Sequence, residues 1–320
     1  MNRRRILAGL SACGTSAIAS RAAHAQSWPA RTVTLVVPYT AGGTTDATAR
    51  LFAEHLSQVL PSRVVVENRP GAQSNTGSEF VARAAPDGYT LLLAAAGLAN
   101  NVAFGPKPKF DTTTAFDMIG LIGMSPTVVV VPRDLGVKTV AEFVDLTRRR
   151  PNEVTLGSGQ IDHYAELFKR RAGAQYRIIS YRSSPQALVD ATAGHIQSVM
   201  AFVATALPTL GDKLMPLAVS SRARSSVLPN VPTFAESGYT DAEIESWFGI
   251  AAPAGTPPDA LARISKEIGV FVRNPATQAH MRKIGIETVP EMSPSDFAAF
   301  ARDDAARWLR IAREFGITAE

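Results

Sequence analysis

The feature that most constrains this chain is a repeated change of hydrophobic period, from short β-branched runs to helix-length amphipathic segments and back. Val33–Val37 reads as a strand, and Thr45–Val59 as a helix with Leu51, Phe52, Leu56 and Val59 on one face. Val64–Glu67 is a second strand, Thr76–Ala85 a helix closed by the turn signal Pro86-Asp87-Gly88, and Thr90–Ala95 a third strand. A strand–helix–strand order of this kind predicts a mostly parallel sheet with helices on both faces, because a parallel neighbour is reached only through a crossover. The pattern restarts after Asp117. Strands are predicted at Thr127–Val131, Val154–Leu156, Tyr176–Tyr181, Gln197–Met200 and Leu214–Ser220, with helices at Val140–Arg149, Tyr164–Arg171, Pro185–Ala193 and Thr205–Leu210. Trp247–Ala252 follows as a strand. Two long helices close the chain, Pro258–Val272 and Ser293–Phe315, the second with a candidate break near Asp303.

Two βα clusters, with apolar strands at Thr127–Val131 and Trp247–Ala252 where the pattern changes, predict a chain that passes twice between two α/β lobes. The expected division places residues 26–126 and 246–320 in lobe 1 and residues 127–245 in lobe 2. A length of 320 residues suits two domains of roughly 100–200 residues each. A hydrophobic content of 46% with 19% charged residues is ordinary for a packed core. No fixed-period repeat and no low-complexity tract interrupts the pattern. In open α/β sheets, ligands sit beyond the carboxyl ends of the strands, so loops running from a strand into a helix are where a site is expected.

The first 25 residues read as an export signal. Arg3, Arg4 and Arg5 make a basic start, a weakly apolar segment runs from Ile6 to about Ser20, and Ala23-His24-Ala25 is a small-x-small cleavage site ahead of Gln26. Arg3-Arg4-Arg5-Ile6-Leu7 also resembles the twin-arginine motif, with Arg5 at the variable position. Leu10-Ser11-Ala12-Cys13 offers a lipoprotein-box alternative, but with an apolar region of only about five residues before it. The segment falls short of the roughly 20 apolar residues of a spanning helix. The formal charge of +5 is largely a property of this leader. Without it, 29 basic residues face 28 acidic ones, which removes the case for nucleic acid as a partner. Cys13, the only cysteine, leaves with the leader, so disulfides, thiol catalysis and cysteine metal sites are excluded from the mature chain.

Three glycine-containing loops follow strands and enter helices. The first runs Tyr39-Thr40-Ala41-Gly42-Gly43-Thr44-Thr45-Asp46. Gly42 and Gly43 permit close backbone approach. An open helix start there offers N–H groups and the positive end of the dipole to a carboxylate or phosphate without any lysine. The bland reading is a capped βα turn, with Thr44, Thr45 or Asp46 as the cap. Asp46 also fits a second role, taking an amine or hydroxyl of a ligand. The second loop is Gly71-Ala72-Gln73-Ser74-Asn75-Thr76-Gly77, a turn with an N-cap or a binding loop through Gln73. The third is Gly157-Ser158-Gly159-Gln160-Ile161-Asp162-His163, where Gly159, Gln160 and His163 could meet the far end of an anion, or His163 could be structural.

Catalysis finds little support. Gly157-Ser158-Gly159 is not the Gly-x-Ser-x-Gly of a nucleophile elbow, and Ser158 has no base and acid partner legible in sequence. His55, His163, His195 and His280 have no paired metal-ligand spacing. There is no P-loop, and Ala41-Gly42-Gly43-Thr44-Thr45-Asp46 lacks the third glycine of a dinucleotide fingerprint. Asp303-Asp304 reads as solvated helix surface. No enzyme activity, cofactor or metal is implied.

Several motifs together resemble the Bug family of bacterial periplasmic solute receptors, the binding component of tripartite tricarboxylate transporters. They are Val36-Val37-Pro38-Tyr39 with Ala41-Gly42-Gly43 and Asp46, then Val66-Glu67-Asn68-Arg69-Pro70-Gly71-Ala72, then Ala85-Pro86-Asp87-Gly88-Tyr89-Thr90. Leu217-Ala218-Val219, Leu228-Pro229-Asn230-Val231-Pro232-Thr233, Glu236-Ser237-Gly238, Trp247-Phe248-Gly249 and Pro253-Ala254-Gly255-Thr256-Pro257 continue the match. The resemblance runs from about Trp28 to the C-terminus. It implies a two-lobed periplasmic-binding-protein (type II) fold, each lobe a mixed, mostly parallel sheet flanked by helices, joined by two crossover strands. It implies that Tyr39 to Asp46 hold one carboxylate of a small organic acid and that Gly159 to His163 meet its distal end. The implied partners are a small carboxylate and the membrane components of the transporter. A sensor docking on a membrane kinase is the alternative function, a periplasmic enzyme a remote one, and a monomer the default state.

The second half departs from the family pattern. The loop before His163 is about three residues shorter than usual, and Gln160 stands where a serine is expected. The usual Val-Pro-Tyr-Lys/Arg-Gly becomes Ile179-Ser180-Tyr181-Arg182-Ser183, with Ser183 and Ser184 as candidate contacts. Two aspartates common in the family appear as Gln197 and Ala201, and loss of an acid at Ala201 argues against an amine-bearing ligand.

Overall fold

The computed structural model describes residues 28–159 and 161–316. The leader and its export motifs, Gln160 and the last four residues lie outside the described residues. The first strands and helices alternate as β1 (Val33–Val37), α1 (Thr44–Val59), β2 (Val64–Asn68), α2 (Asn75–Ala82), β3 (Thr90–Ala95) and α3 (Gly97–Phe104). A long strand β4 (Phe116–Pro132) leads to α4 (Val140–Arg149), β5 (Thr155–Gly159), α5 (Asp162–Ala172), β6 (Arg177–Tyr181) and α6 (Ser184–Thr192). Then come β7 (Ser198–Phe202), the short α7 (Val203–Ala206), β8 (Leu214–Val219) and β9 (Glu245–Pro253). The chain ends with α8 (Pro258–Arg273), α9 (Pro275–Lys283), β10 (Glu287–Thr288) and α10 (Pro294–Phe315).

β1 lies between β2 and β3, parallel to both, and β3 is antiparallel to β9. β9 pairs with the first part of β4, from Phe116↔Pro253 to Pro126↔Glu245. From Thr127 onward β4 leaves β9 and pairs antiparallel with β7 and β8. β5 then sits parallel to β7 and β6. β4 is thus a member of two mixed sheets. Pro126 stands where the pairing changes hands, a place in a strand where a residue without an N–H is tolerated. Register shifts at Met118/Gly120 and Leu121/Gly123 add local twist to the same strand.

Apolar residues on both faces of each sheet account for its near-continuous hydrophobic strands. On one face of the first sheet Phe52 and Leu56 of α1 meet Ile264 and Phe271 of α8. On the other, Trp247 of β9 packs with Phe297 of α10. The second sheet is covered by Phe143 of α4 and Phe168 of α5 on one side and by Ala187 and Leu188 of α6 on the other. Ala103 of α3 and Trp308, Ile311 and Phe315 of α10 belong to the α4–α5 cluster, so these two helices pack across to the second sheet.

Four sequence expectations need correction. β4 begins at Phe116 rather than Thr127; Gly120, Gly123 and Pro126 hid its first half. α3 and α9 were not expected. α10 runs unbroken through Asp303, and Asp304 is not solvated surface: its Oδ2 accepts from Trp247 Nε1 at 2.9 Å. Burial raises the Asp304 carboxyl above its ordinary pKa despite that bond.

Candidate functional site

The carboxyl ends of β1, β3, β5 and β7 converge on one cavity of about 260 Å³. Tyr39, Thr44 and Thr45 contribute from the first loop, Gln73 from the second, and Gly159 and His163 from the third. The cavity draws on both sheets.

The first loop is held by its own acid. Gly42 adopts φ +84°, which favours glycine, and its N–H donates to Asp46 Oδ2 at 2.9 Å. Arg50 Nε donates to the same oxygen, and Asn68 Nδ2 donates to Oδ1, both at 2.9 Å. Asp46 is 4% exposed and does not line the cavity. Burial alone raises its pKa, but the bonds from Arg50, Gly42 and Asn68 outweigh burial and hold it below the ordinary carboxylate value. Asp46 takes neither of the two roles open in sequence, helix cap or cavity wall; it braces the loop instead. Gly43 occupies the N-cap position of α1 and no side chain caps the helix, so its first N–H groups are left for water or a ligand.

The second loop contains an unusual turn. Ala72, Gln73 and Ser74 take φ of +43°, +52° and +83°, a left-handed run that side chains rarely adopt. Asn101 Nδ2 secures it by donating to Gln73 O at 2.5 Å and to Asn75 Oδ1 at 3.0 Å. Strain of this kind persists only where surrounding structure imposes it, and it clusters at functional sites.

Asn101 belongs to α3, which sequence reasoning missed and which supplies Gly97, Asn100 and Asn101 to the cavity. α3 starts one residue after β3, with Ala96 at its N-cap position and no side-chain cap. The available signal was two adjacent asparagines inside the apolar run Leu98 to Phe104. Ser125, Phe202, Thr205, Ser246 and Phe248 also line the cavity and were not anticipated.

On the opposite wall, β5 ends at Gly159 against the backbone of Ser184; a Cβ at Gly159 would overlap Ser184 N. Asp162 opens α5, and its carboxylate accepts from the hydroxyls of Ser158 and Ser180. Ser158 thus faces an acid and not a histidine base. The His163 ring stacks on Phe104 at 5.1 Å and meets Trp308 edge-on at 5.4 Å. This enclosure pulls its pKa down to about 4, burial outweighing the attraction of Asp162, so the ring is neutral at pH 7. Burial likewise raises Tyr39 and Tyr164, which remain phenols.

Thr40, Ala41, Gly42, Gly43, Asp46, Ser183, Ser184 and Ala201 do not line the cavity. Thr40, Ala41, Gly42, Gly43 and Ser183 are exposed, Ser184 is buried at the start of α6, and Ala201 is fully buried among Val128, Val199 and Leu188. Gln160 is outside the described residues. Among the described residues, no Asp, Glu, Lys or Arg lines the cavity, and no cluster of His, Cys, Asp or Glu is arranged for a metal ion.

Two open α/β sheets that share a strand, with a cavity at the strand ends between them, define the type II periplasmic-binding-protein class expected from the sequence. The chain matches the family described as "Tripartite tricarboxylate transporter family receptor" over residues 48–317, and it belongs to that family. The Bug resemblance drawn from its motifs is borne out by relatives. "Protein BugT" of Bordetella pertussis is 31% identical over 323 residues, 99% of each chain. A "UPF0065 protein in tcbD-tcbE intergenic region" of Pseudomonas sp. strain P51 is 31% identical over 100% of this chain and 96% of its own. Among solved structures, "R. palustris Rpa4515 with adipate" superposes with a TM-score of 0.81 at 31% identity, covering 91% of this chain and 99% of that one. The periplasmic binding protein BugD gives a TM-score of 0.79 at 28% identity, covering 91% and 99%. The chain is therefore a solute-binding receptor. Receptors of this family are periplasmic. Among the described residues, no helix is long and apolar enough to cross a membrane.

Proposed function

We propose that this receptor captures a small organic carboxylate in the cavity and closes on it for delivery to the membrane components of a tripartite tricarboxylate-type transporter. The observation that carries this reading is the uncapped start of α1 beside Tyr39, Thr44 and Thr45, in a cavity that no charged side chain lines among the described residues. A helix N-terminus stabilises an anion through free N–H groups and its dipole. The adipate held by Rpa4515 supports a carboxylate as the ligand class. We place the mobile division as expected from sequence, with 26–126 and 246–320 in one lobe and 127–245 in the other. The protein acts as an exported monomer without catalytic activity, and the twin-arginine route fits Arg3-Arg4. Closure is driven only by contacts that the ligand makes in the closed state. Each charge-assisted hydrogen bond contributes about 1.5–3 kcal/mol, so a few suffice for micromolar binding at about −8 kcal/mol.

A thermal-shift screen of carboxylates, phosphates and sugars identifies the ligand class, and calorimetry then compares the wild type with Thr44→Pro. Proline fits the first turn of a helix but removes one N–H. The expected outcome is stabilisation by carboxylates and a loss of roughly tenfold in affinity for the variant, about 1.4 kcal/mol. Stabilisation by phosphates or sugars alone, or an unchanged affinity in Thr44→Pro, overturns the reading.

A further inference from the structure

α10 is one unbroken helix shared by two hydrophobic cores. Phe297 and Ala305, in its first half, pack with Trp247 and Ala251 of β9 in the core of the first sheet. Trp308, Ile311, Ala312 and Phe315, in its second half, belong to the core of the second sheet, with Tyr164 and Phe168 of α5. The changeover takes less than one helical turn. Asp304 still accepts from Trp247 Nε1 at 2.9 Å, whereas Arg307 Nη2 already donates to Glu243 O, in the segment returning from the second sheet, at 2.5 Å. No glycine or proline follows Pro294 within the helix, and kinks need such a residue or an inserted group. A stiff rod therefore lies across the point where the chain passes between the two units. Any rotation of one unit against the other has to break one of its two sets of contacts.

The second set has an outer fastening and an inner contact with the cavity wall. Outside, Arg171 Nη1 and Nη2 of α5 donate to Glu314 Oε1 and Oε2 at 2.6 and 2.8 Å. Beside this pair the Arg170 guanidinium lies over the Phe315 ring, 4.4 Å from its centre. Inside, Trp308 stacks on Tyr164 at 5.2 Å and meets His163 edge-on at 5.4 Å. Tyr164 and His163 both line the cavity, and Arg171 and Glu314 do not. α3 of the first unit reaches the same wall, where Asn100 Nδ2 donates to Tyr164 Oη at 2.7 Å. In this structure the two units thus touch beside the cavity, the arrangement expected of the closed state.

We infer that Arg171 and Glu314 are positioning residues for ligand capture: by fastening the second half of α10 to α5 they hold the closed arrangement and set affinity from outside the cavity. This rests on the two-lobed closing receptor proposed above and not on the class of its ligand. The apparent affinity of a closing receptor scales with the share of molecules in the competent state. A two-pronged ion pair at the surface shifts such a balance by up to about fivefold. Its loss leaves every contact inside the cavity in place, so all ligands weaken by one common factor.

The only cysteine of the chain, Cys13, falls in the leader. Gln58→Cys on α1 and Gln186→Cys on α6, both exposed, therefore take a pair of spin labels without competition. Pulsed electron paramagnetic resonance reads the distance between them in the ligand-free protein, and calorimetry titrates adipate, malate and benzoate. In Arg171→Ala and Glu314→Ala the distances are expected to move away from the closed population. Each of the three acids that binds the wild type is expected to bind about three- to fivefold weaker, by the same factor across the acids. Arg313→Ala, at an exposed neighbour on α10, is the control and is expected to leave both readings as in the wild type. Unchanged distances in both variants overturn the inference, as does an equal shift in Arg313→Ala. A loss of affinity confined to one acid overturns it too, because it places the effect inside the cavity. Binding of none of the three acids counts against the carboxylate reading alone, and the distances, taken without ligand, still decide the role of α10.

Discussion

Two ionisable residues in the first turns of α1 and α5 show how burial can serve opposite ends. Asp46 is buried with three donors around it and stays charged. His163 is enclosed by Phe104, Tyr164 and Trp308 and stays neutral. Its lowered pKa has a stability consequence whose sign is fixed. Between pH 6.5 and about 4 the unfolded chain takes up a proton on this ring and the folded chain does not, so stability falls as the pH drops through that window. The contribution is at most about 3 kcal/mol, less where cavity water reaches the ring. Urea unfolding at pH 7 and at the lower edge of the window is expected to show a smaller drop in His163→Gln than in the wild type. Equal drops would assign the pH dependence to other groups.

Between elements, α10 fits closely on β9. A Cβ at Gly249 would overlap the ring of Phe297, and Gly120 O lies 2.9 Å from the same point. Gly249→Ala is expected to destabilise the protein by about 1–3 kcal/mol through overpacking, read as a lower melting temperature. An unchanged value would mean that α10 shifts freely on the sheet. Strands and helices with clean periodicity, such as β1, α1, β3 and α4, were legible from their apolar spacing alone. The first half of β4 was not, because its two glycines and a proline read as breakers, whereas close packing by Ile268 and β10 and a change of sheet partner call for them. α3 was missed for a related reason: its asparagines are poor helix formers, and their value lies in long-range bonds to Gln73 and Tyr164. The candidate site divides the same way. Loop residues Tyr39, Thr44, Thr45, Gln73, Gly159 and His163 announced themselves by glycines beside strand ends. Phe202, Phe248, Ser125 and Ser246 sit inside ordinary strand patterns, and only the tertiary fold turns them toward one cavity.

Taken whole, the molecule is organised around β4, whose hydrogen bonds serve both sheets. α10 reinforces that union: Arg171 of α5 forms a two-pronged bond to Glu314, and Arg170 donates to Phe315 O at 3.2 Å. Neither sheet can lose its order without removing an edge or a covering helix from the other. Calorimetry is expected to show one unfolding transition with coincident spectroscopic probes, and two resolved transitions would mean that the shared strand does not couple them. The same strand has a further consequence at the point where the chain leaves and returns. Ser220 N donates to Thr127 O at 2.9 Å, and Ile244 N donates to Ser220 O at 3.0 Å. Departure and return are thus neighbours in space although more than a third of the sequence separates them. Everything from Thr127 to Ile244 leaves and rejoins the remainder at that one point, and α3 and α10 close a second seam against it through Ala103, Trp308 and the Arg171–Glu314 pair. Recombination between relatives that preserves the junction and this seam can exchange one wall of the cavity wholesale while the other stays as it is.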